Sequence, residues 1–354
     1  MIIESLKASG FRNLSRFEID IDPGITLIVG KNGQGKTNLL EAAYAALSHR
    51  SFRTSELGSL ISGSEEYARL GAEFRLSGDR RADIVHLFSK TDPDRVRLNN
   101  RIIKGRKEFD RFPVIAFIPG DVELSRGAPG LRREFLDGIG AYISPGYSAL
   151  IAGAERLLRQ RQSLIRSSNP DVTTLDVFDS RYAEVSEQVA RERELVVSEL
   201  EPLACSIHRR LSSGEERISI SYRRSWEGSC LEHLLRARSD DIRKGTTSFG
   251  CHRDDLALLI EGQPMRSFGS QGQARSVAYS LRLAAANLIE ARLQETPVVI
   301  LDDVFSELDE DRVERLLAGL PQYQILISHT TVPDVGVDMR TIEVKQGALD
   351  VQGA

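Results

Sequence analysis

Gly30-Lys31-Asn32-Gly33-Gln34-Gly35-Lys36-Thr37 decides the fold class. The run fits GxxxxGK[ST] in full, with the apolar segment Ile25 to Val29 before it and a stretch of helical composition, Thr37 to Leu47, after it. Glycine is needed in such a loop because the backbone turns its N–H groups toward phosphate oxygens at dihedrals that a Cβ opposes. Lys36 brings charge to the β- and γ-phosphates, Thr37 offers a hydroxyl to Mg²⁺, and the start of the helix adds its positive dipole end. Leu39, Leu40, Ala43, Ala46 and Leu47 line one face of that helix. Strand, phosphate loop and helix in succession predict an α/β nucleotide-binding fold, with every residue from Gly30 to Thr37 a candidate contact for ATP.

Three further segments extend the site. Val298-Val299-Ile300-Leu301-Asp302-Asp303 reads as a buried parallel strand ending in two acids; Asp302 is the candidate metal-side residue and Asp303 the candidate for polarising attacking water. Ser267-Phe268-Gly269-Ser270-Gln271-Gly272-Gln273 precedes a helix whose Ala274, Val277, Ala278, Leu281, Ala284 and Ala285 are apolar, so a Ser, a Gly and a helix N-terminus make a second phosphate-binding surface through Ser270, Gly272 and Gln273. Alone, that turn reads first as a polar helix cap. It also resembles the LSGGQ signature of ABC ATPases, with Gln271 where the first glycine normally stands. Ser306-Glu307-Leu308-Asp309 looks like the D-loop of that class, and His329, ending the strand Gln324 to Ile327, falls where ABC ATPases place a switch histidine able to read the γ-phosphate. Loop, signature, acids, D-loop and histidine occur in the ABC order.

With 354 residues the chain is long enough for about two domains. The expected division puts 1–120 and 297–354 in an ATPase lobe, built from a mixed sheet plus an antiparallel sheet, and 121–296 in a helical lobe carrying the signature. Strands are expected at Ile2 to Ala8, Arg16 to Ile21 and Ile25 to Val29, and a second, antiparallel sheet from Ala68 to Leu76, Ala82 to Phe88, Arg95 to Leu98 and Val114 to Phe117. From Leu131 to Leu211 the pattern is helical, broken at Ser167-Ser168-Asn169-Pro170-Asp171, which gives a short antiparallel helical arm that Pro202 should kink.

No stretch approaches the roughly 18 apolar residues of a membrane span, and Met1 to Leu6 lack a leader pattern, so a cytoplasmic location without membrane partners is the expectation. Cys205, Cys230 and Cys251 have no disulfide or zinc spacing. A net charge of −4 puts any nucleic-acid contact in local patches: Arg101, Lys104, Arg106, Lys107 and Arg111; Arg156, Arg159, Arg161 and Arg166; or Arg236, Arg238, Arg243 and Lys244.

Within the ABC class the chain resembles the RecF family. The resemblance is carried by Phe11-Arg12-Asn13, Asn32 through Ala42, Ser51-Phe52-Arg53-Thr54, Arg132-Arg133-Glu134-Phe135-Leu136-Asp137, His252-Arg253-Asp254-Asp255-Leu256 and Ser270-Gln271-Gly272-Gln273-Ala274-Arg275. It implies binding to single-stranded, gapped or junction DNA, an ATP-dependent homodimer with weak ATPase activity, recombinase loading at damaged or gapped replication sites, and RecO and RecR as associates. Cys251 and Thr26 depart from the family pattern away from the phosphate chemistry. Ile118-Pro119-Gly120-Asp121 occupies the Q-loop place, with Asp121 standing in for the usual glutamine. A transporter cassette would have a shorter helical segment between Lys36 and Ser270, an SMC-like clamp far longer coiled coils, and a P-loop kinase no need of the signature or the histidine.

Overall fold

The computed structural model describes residues 1–103, 106–304, 315, 320, 322–332 and 339–351; the D-loop candidate Ser306 to Asp309 lies outside the described residues, as do the side chains of Lys104, Arg106 and Lys107. In chain order the elements are β1 (Ile2–Ser9), β2 (Phe17–Asp20), β3 (Ile25–Val29), α1 (Lys36–Ser48), β4 (Tyr67–Leu76), β5 (Arg80–Ser89), β6 (Arg95–Leu98), β7 (Arg101–Ile103) and β8 (Val114–Phe117). There follow α2 (Val122–Arg126), α3 (Pro129–Ile143), α4 (Tyr147–Ile165), α5 (Val172–Leu211), β9 (Ile218–Arg223), α6 (Cys230–Lys244), β10 (Asp255–Ile260), β11 (Gln263–Pro264), α7 (Met265–Phe268) and α8 (Gln271–Leu293). The chain then adds β12 (Val298–Asp302), β13 (Gln324–His329), β14 (Arg340–Lys345) and β15 (Ala348–Val351).

Two compact units result: Met1–Asp121 with Arg282–Ala354, and Val122–Leu281. The first holds an antiparallel sheet in the order β2-β1-β4-β5-β6-β7 and a mixed sheet in the order β15-β14-β3-β13-β12-β8. In the mixed sheet β14, β3, β13, β12 and β8 run parallel and β15 antiparallel. One apolar cluster fills this unit, drawing Leu6 and Phe74 from one sheet, Ile28 and Ile300 from the other, and Leu40 and Ala43 from α1. β8 belongs to the mixed sheet, Leu301 opposite Phe117, and not to the antiparallel sheet expected from sequence. All four of its residues are buried, which is the unalternating pattern of a parallel strand covered on both faces.

The second crossing between units falls at Arg282, inside α8, and not at 297. The later half of that helix is tied to the first unit, Arg282 by Asp121 at 2.6 Å and Asn287 by the Tyr323 hydroxyl at 2.6 Å. In the second unit the antiparallel sheet β11-β10-β9 accompanies the helices. The breaker at 167–171 separates α4 from α5, and Asp171 caps α5 by accepting the Thr174 N–H. Pro202 does not end α5, which runs 40 residues, about 60 Å at 1.5 Å per residue. One lost backbone donor is outweighed by burial of Val196, Leu200, Ala204 and Ile207 on either side of it. The cysteines are free thiols, and among the described residues no helix is long and apolar enough to cross a membrane.

Candidate functional site

The phosphate loop joins β3 to α1 with Gly33 at φ 78° and Gly35 at φ 118°. A Cβ on Gly30 would strike the Val344 carbonyl oxygen, and one on Gly35 would lie 2.9 Å from Asn13 Oδ1, so packing as well as dihedral restricts these positions to glycine. The β14–β15 turn buttresses the loop: Gln346 N–H donates to Gln34 Oε1 at 2.6 Å and Gly347 N–H to the Gln34 carbonyl at 2.9 Å. Lys36 is buried, its Nζ donating to the carbonyls of Gly30 at 2.6 Å and Lys31 at 3.1 Å. Burial lowers its pKa, against the pull of the Asp303 and Asp302 charges.

The structure brings both ends of the chain to this loop. Thr37 Oγ1 lies 2.9 and 3.1 Å from the two Asp302 oxygens, and Ser328 Oγ donates to Asp302 Oδ1 at 2.7 Å while accepting the Asp303 N–H at 3.0 Å. Burial raises the Asp302 pKa, opposed by the hydrogen bonds from Ser328 and Thr37. Asp303 sits at φ 53°, a left-handed dihedral that a non-glycine residue adopts at a cost of about 1–3 kcal/mol and that recurs at functional sites. That turn separates the two acids: Asp302 faces Thr37, whereas Asp303 Oδ1 lies 3.8 Å from His329 Nδ1.

Sequence reasoning missed Ser328 as a site residue; its register opposite Asp302 on neighbouring parallel strands is the signal that finds it. It also missed that three of the quoted segments meet. Glu41 on α1 is fully buried, accepts from Arg12 Nε at 2.9 Å, Arg12 Nη2 at 2.8 Å and the Ser51 hydroxyl, and has Arg53 at 3.6 Å. Arg53 Nη1 donates to Asn38 Oδ1 at 2.7 Å, and Asn38 Nδ2 to Asn13 Oδ1 at 2.6 Å. The network ties α1 to the loops on either side and holds Asn13 against Gly35 and Gly33.

Asp121 does not serve as a Q-loop ligand in this arrangement. Its carboxylate is buried, bound by Arg282 at 2.6 and 3.2 Å and by the Ile118 N–H at 3.0 Å, so its oxygens are already committed.

In the second unit, Ser270, Gly272 and Gln273 open α8. Ser270 Oγ accepts the Gln273 N–H at 3.1 Å and Gln273 Oε1 accepts the Ser270 N–H at 2.8 Å, a reciprocal capping box. Arg126 Nη2 donates to the preceding Gly269 carbonyl. The polar cap anticipated as the plain account of this turn is therefore real, and it fixes the serine at a helix N-terminus.

The basic runs fare differently. Arg161 is fully buried, donating to Asp179 at 2.6 Å and to Asp241 at 3.0 Å. Arg238 pairs with Asp176 and Asp179, Arg243 and Lys244 with Asp240, and Arg236 with Glu232. Arg159 lies 3.8 Å from Glu155, Arg111 pairs with Glu108, and Arg166 Nε donates to the Gly245 carbonyl. Much of that positive charge is internally neutralised. Arg69, Arg95 and Arg97, which form no run, are exposed together on the outer face of the antiparallel sheet. Arg69 and Arg95 flank Leu87 in register, and Arg97 stands opposite Val85.

Comparison with known proteins agrees with this architecture. Residues 2–333 match the family described as RecF/RecN/SMC N terminal domain. The DNA replication and repair protein RecF of Shouchella clausii (strain KSM-K16) is 33% identical over 355 residues, covering 96% of this chain and 94% of its own. A solved structure of the recombination mediator protein RecF-ATP in the RecFOR pathway superposes with a TM-score of 0.92 at 28% identity, covering 99% of this chain and 98% of that one. An SMC head bound to the C-winged helix domain of ScpA shares the fold alone, at TM-score 0.56 and 17% identity over 99% and 97% of the two chains. From its phosphate loop to its capped signature turn, along nearly its whole length, the chain belongs to the RecF family.

Proposed function

We propose that this chain is an ATP-operated DNA-binding protein of replication and repair, in which two copies close around nucleotide and slow hydrolysis lets them part. The observation that carries this reading is the 2.9 Å contact between Thr37 and Asp302, which unites the phosphate loop with a carboxylate 265 positions away. A hydroxyl and a buried carboxylate are the hard oxygen donors that suit Mg²⁺, and Thr37 and Asp302 would hold it there to offset phosphate charge. Lys36 and the loop glycines bind the phosphates. Asp303, turned away from Asp302 toward His329, orients water, and His329 reads the γ-phosphate.

Ser270 at the N-terminus of α8 caps the phosphates held by a second copy. A nucleotide gripped from both sides binds the closed pair better than the open chain, and that difference in affinity is what drives closure. The ATP and the RecFOR pathway named for the solved RecF support ATP as the ligand and RecO and RecR as associates. DNA meets the exposed Arg69, Arg95 and Arg97 face through its phosphates, which suits a chain whose basic run from Arg236 to Lys244 is paired with its own carboxylates. Sedimentation with and without ATP and Mg²⁺ tests closure: a shift from monomer to dimer that Lys36→Ala and Ser270→Arg each abolish is the expected result, and an unchanged monomer overturns it.

A further inference from the structure

The capping box at Ser270 does not stand alone. Gln273 has spent its side-chain oxygen on the Ser270 N–H, so its Nε2 faces outward and donates to Glu216 Oε1 at 3.1 Å. The other Glu216 oxygen, Oε2, lies 3.1 Å from Nε2 of His208, a fully buried ring in the last turn of α5. His208 Nδ1 in turn lies 3.3 Å from the hydroxyl of Ser280, which donates to the Ser276 carbonyl at 2.7 Å within α8. A closed circuit of side chains therefore runs from the signature turn to the end of the long helix and back into α8.

We infer that Glu216 is a positioning residue for the signature turn. A terminal amide rotates easily about its last torsion, and nothing in its shape distinguishes oxygen from nitrogen. The carboxylate distinguishes them: Glu216 attracts the NH₂ end of Gln273 and repels the carbonyl end, so the carbonyl is delivered to Ser270. With Glu216 held by His208, the orientation of the signature serine is set by the last turn of α5, and a displacement of that helix end moves the turn. The cap alone would hold the serine at α8; the carboxylate adds a fixed amide and a link to the arm. This role rests on the assignment of Ser270 to the interface between two copies.

The test measures ATP-dependent self-association by sedimentation and, separately, ATP affinity of the dilute monomer. Glu216→Ala is expected to weaken association roughly tenfold, as loss of a hydrogen bond to a charged group does, with monomer ATP affinity unchanged. Glu216→Gln, whose amide can offer Gln273 either an oxygen or an NH₂ group, restores the association only in part. The double variant Glu216→Ala/Gln273→Ala associates no worse than Gln273→Ala alone, because both substitutions break one coupled interaction. Should Glu216→Ala fail to fold, Glu216→Asp, whose carboxylate is drawn back by one methylene, is read in the same way. Parent-like association of the Glu216 variant while Ser270→Arg blocks it, or additive losses in the double variant, overturns the positioning role alone. Parent-like association of Ser270→Arg removes the interface assignment and this role with it.

Discussion

Ser328 Oγ bridges the two acids that end β12, donating to Asp302 at 2.7 Å and accepting the backbone N–H of Asp303 at 3.0 Å. One hydroxyl thereby lowers the proton affinity of Asp302, which burial raises, and anchors the strained turn that aims Asp303 at His329. Ser328→Ala takes the hydroxyl away from the part-buried Asp303 N–H, a loss of about 0.5–1.5 kcal/mol, and lets the Asp302 pKa rise further. The acid limb of the ATPase pH profile is expected to move to higher pH, with Ser328→Thr keeping the parent profile.

Asp303→Asn keeps the size of the side chain and removes the charge near His329 while leaving the Thr37–Asp302 contact in place. Nucleotide binding should persist, and turnover should fall by about 10²–10⁴-fold, the usual contribution of a general base. Single-turnover hydrolysis alongside sedimentation would show a dimer that outlasts that of the parent; unchanged turnover would remove Asp303 from the chemistry.

Glu41 is a buried carboxylate shared by Arg12, Ser51 and Arg53. Glu41→Ala leaves the partly exposed Arg12 guanidinium with the Ser59 carbonyl and should cost about 1–3 kcal/mol, the scale of a lost hydrogen bond to a charged group. Chemical denaturation followed by a probe in the first unit measures this, and a loss below about 1 kcal/mol, the scale of an exposed pair, would show that water takes the place of the carboxylate.

The local part of the site was legible and the assembled part was not. Strand, glycine loop and helix are contiguous at 25–48, so their spacing alone announced a phosphate site, and paired acids after an apolar strand supplied the metal side. Arg12, Asn13, Asn38, Glu41, Ser51 and Arg53 were each in view as family-like segments, yet only the fold reveals that they touch, because no periodicity encodes a contact between loops. The same limit hid the charge map. Arg236 and Arg243 looked like a basic run although Glu232 and Asp240 lie four and three positions before them, spacings that place the pairs on one helix face. Arg69, Arg95 and Arg97 looked scattered because cross-strand register gathers them.

That register makes a distinct prediction. Replacing Arg69, Arg95 and Arg97 with Ala should weaken DNA binding by a similar factor for every sequence and reduce the slope of log K against log salt by up to about 3, one for each phosphate no longer neutralised. Fluorescence anisotropy over a salt series measures the slope; an unchanged slope moves the DNA surface elsewhere.

His86 is fully buried in the first unit, with Nε2 2.8 Å from the Ala46 carbonyl and Nδ1 3.1 Å from His49 Nδ1. Burial and the neighbouring His49 push its pKa down to about 3. The folded ring stays neutral where the unfolded one takes up a proton, so this contribution is complete above pH 6.5 and shrinks as the pH falls from 6.5 toward about 3. The slope approaches about 1.4 kcal/mol per pH unit. Unfolding midpoints measured from about pH 7 to about pH 4 should decline accordingly, and His86→Phe should flatten the decline while lowering stability at neutral pH, since the Ala46 carbonyl loses its partner.

The mixed sheet places β3 between β13 and β14 and β8 beside β12, so strands made early pair only with strands made late. During synthesis at ~5–20 residues per second, the segment 122–281 leaves the ribosome complete while β3 and β8 still present bare edges. A chain cut short before residue 298 thus lacks every strand with which β3 and β8 pair, and leaves their ladder groups open to strand addition from another molecule.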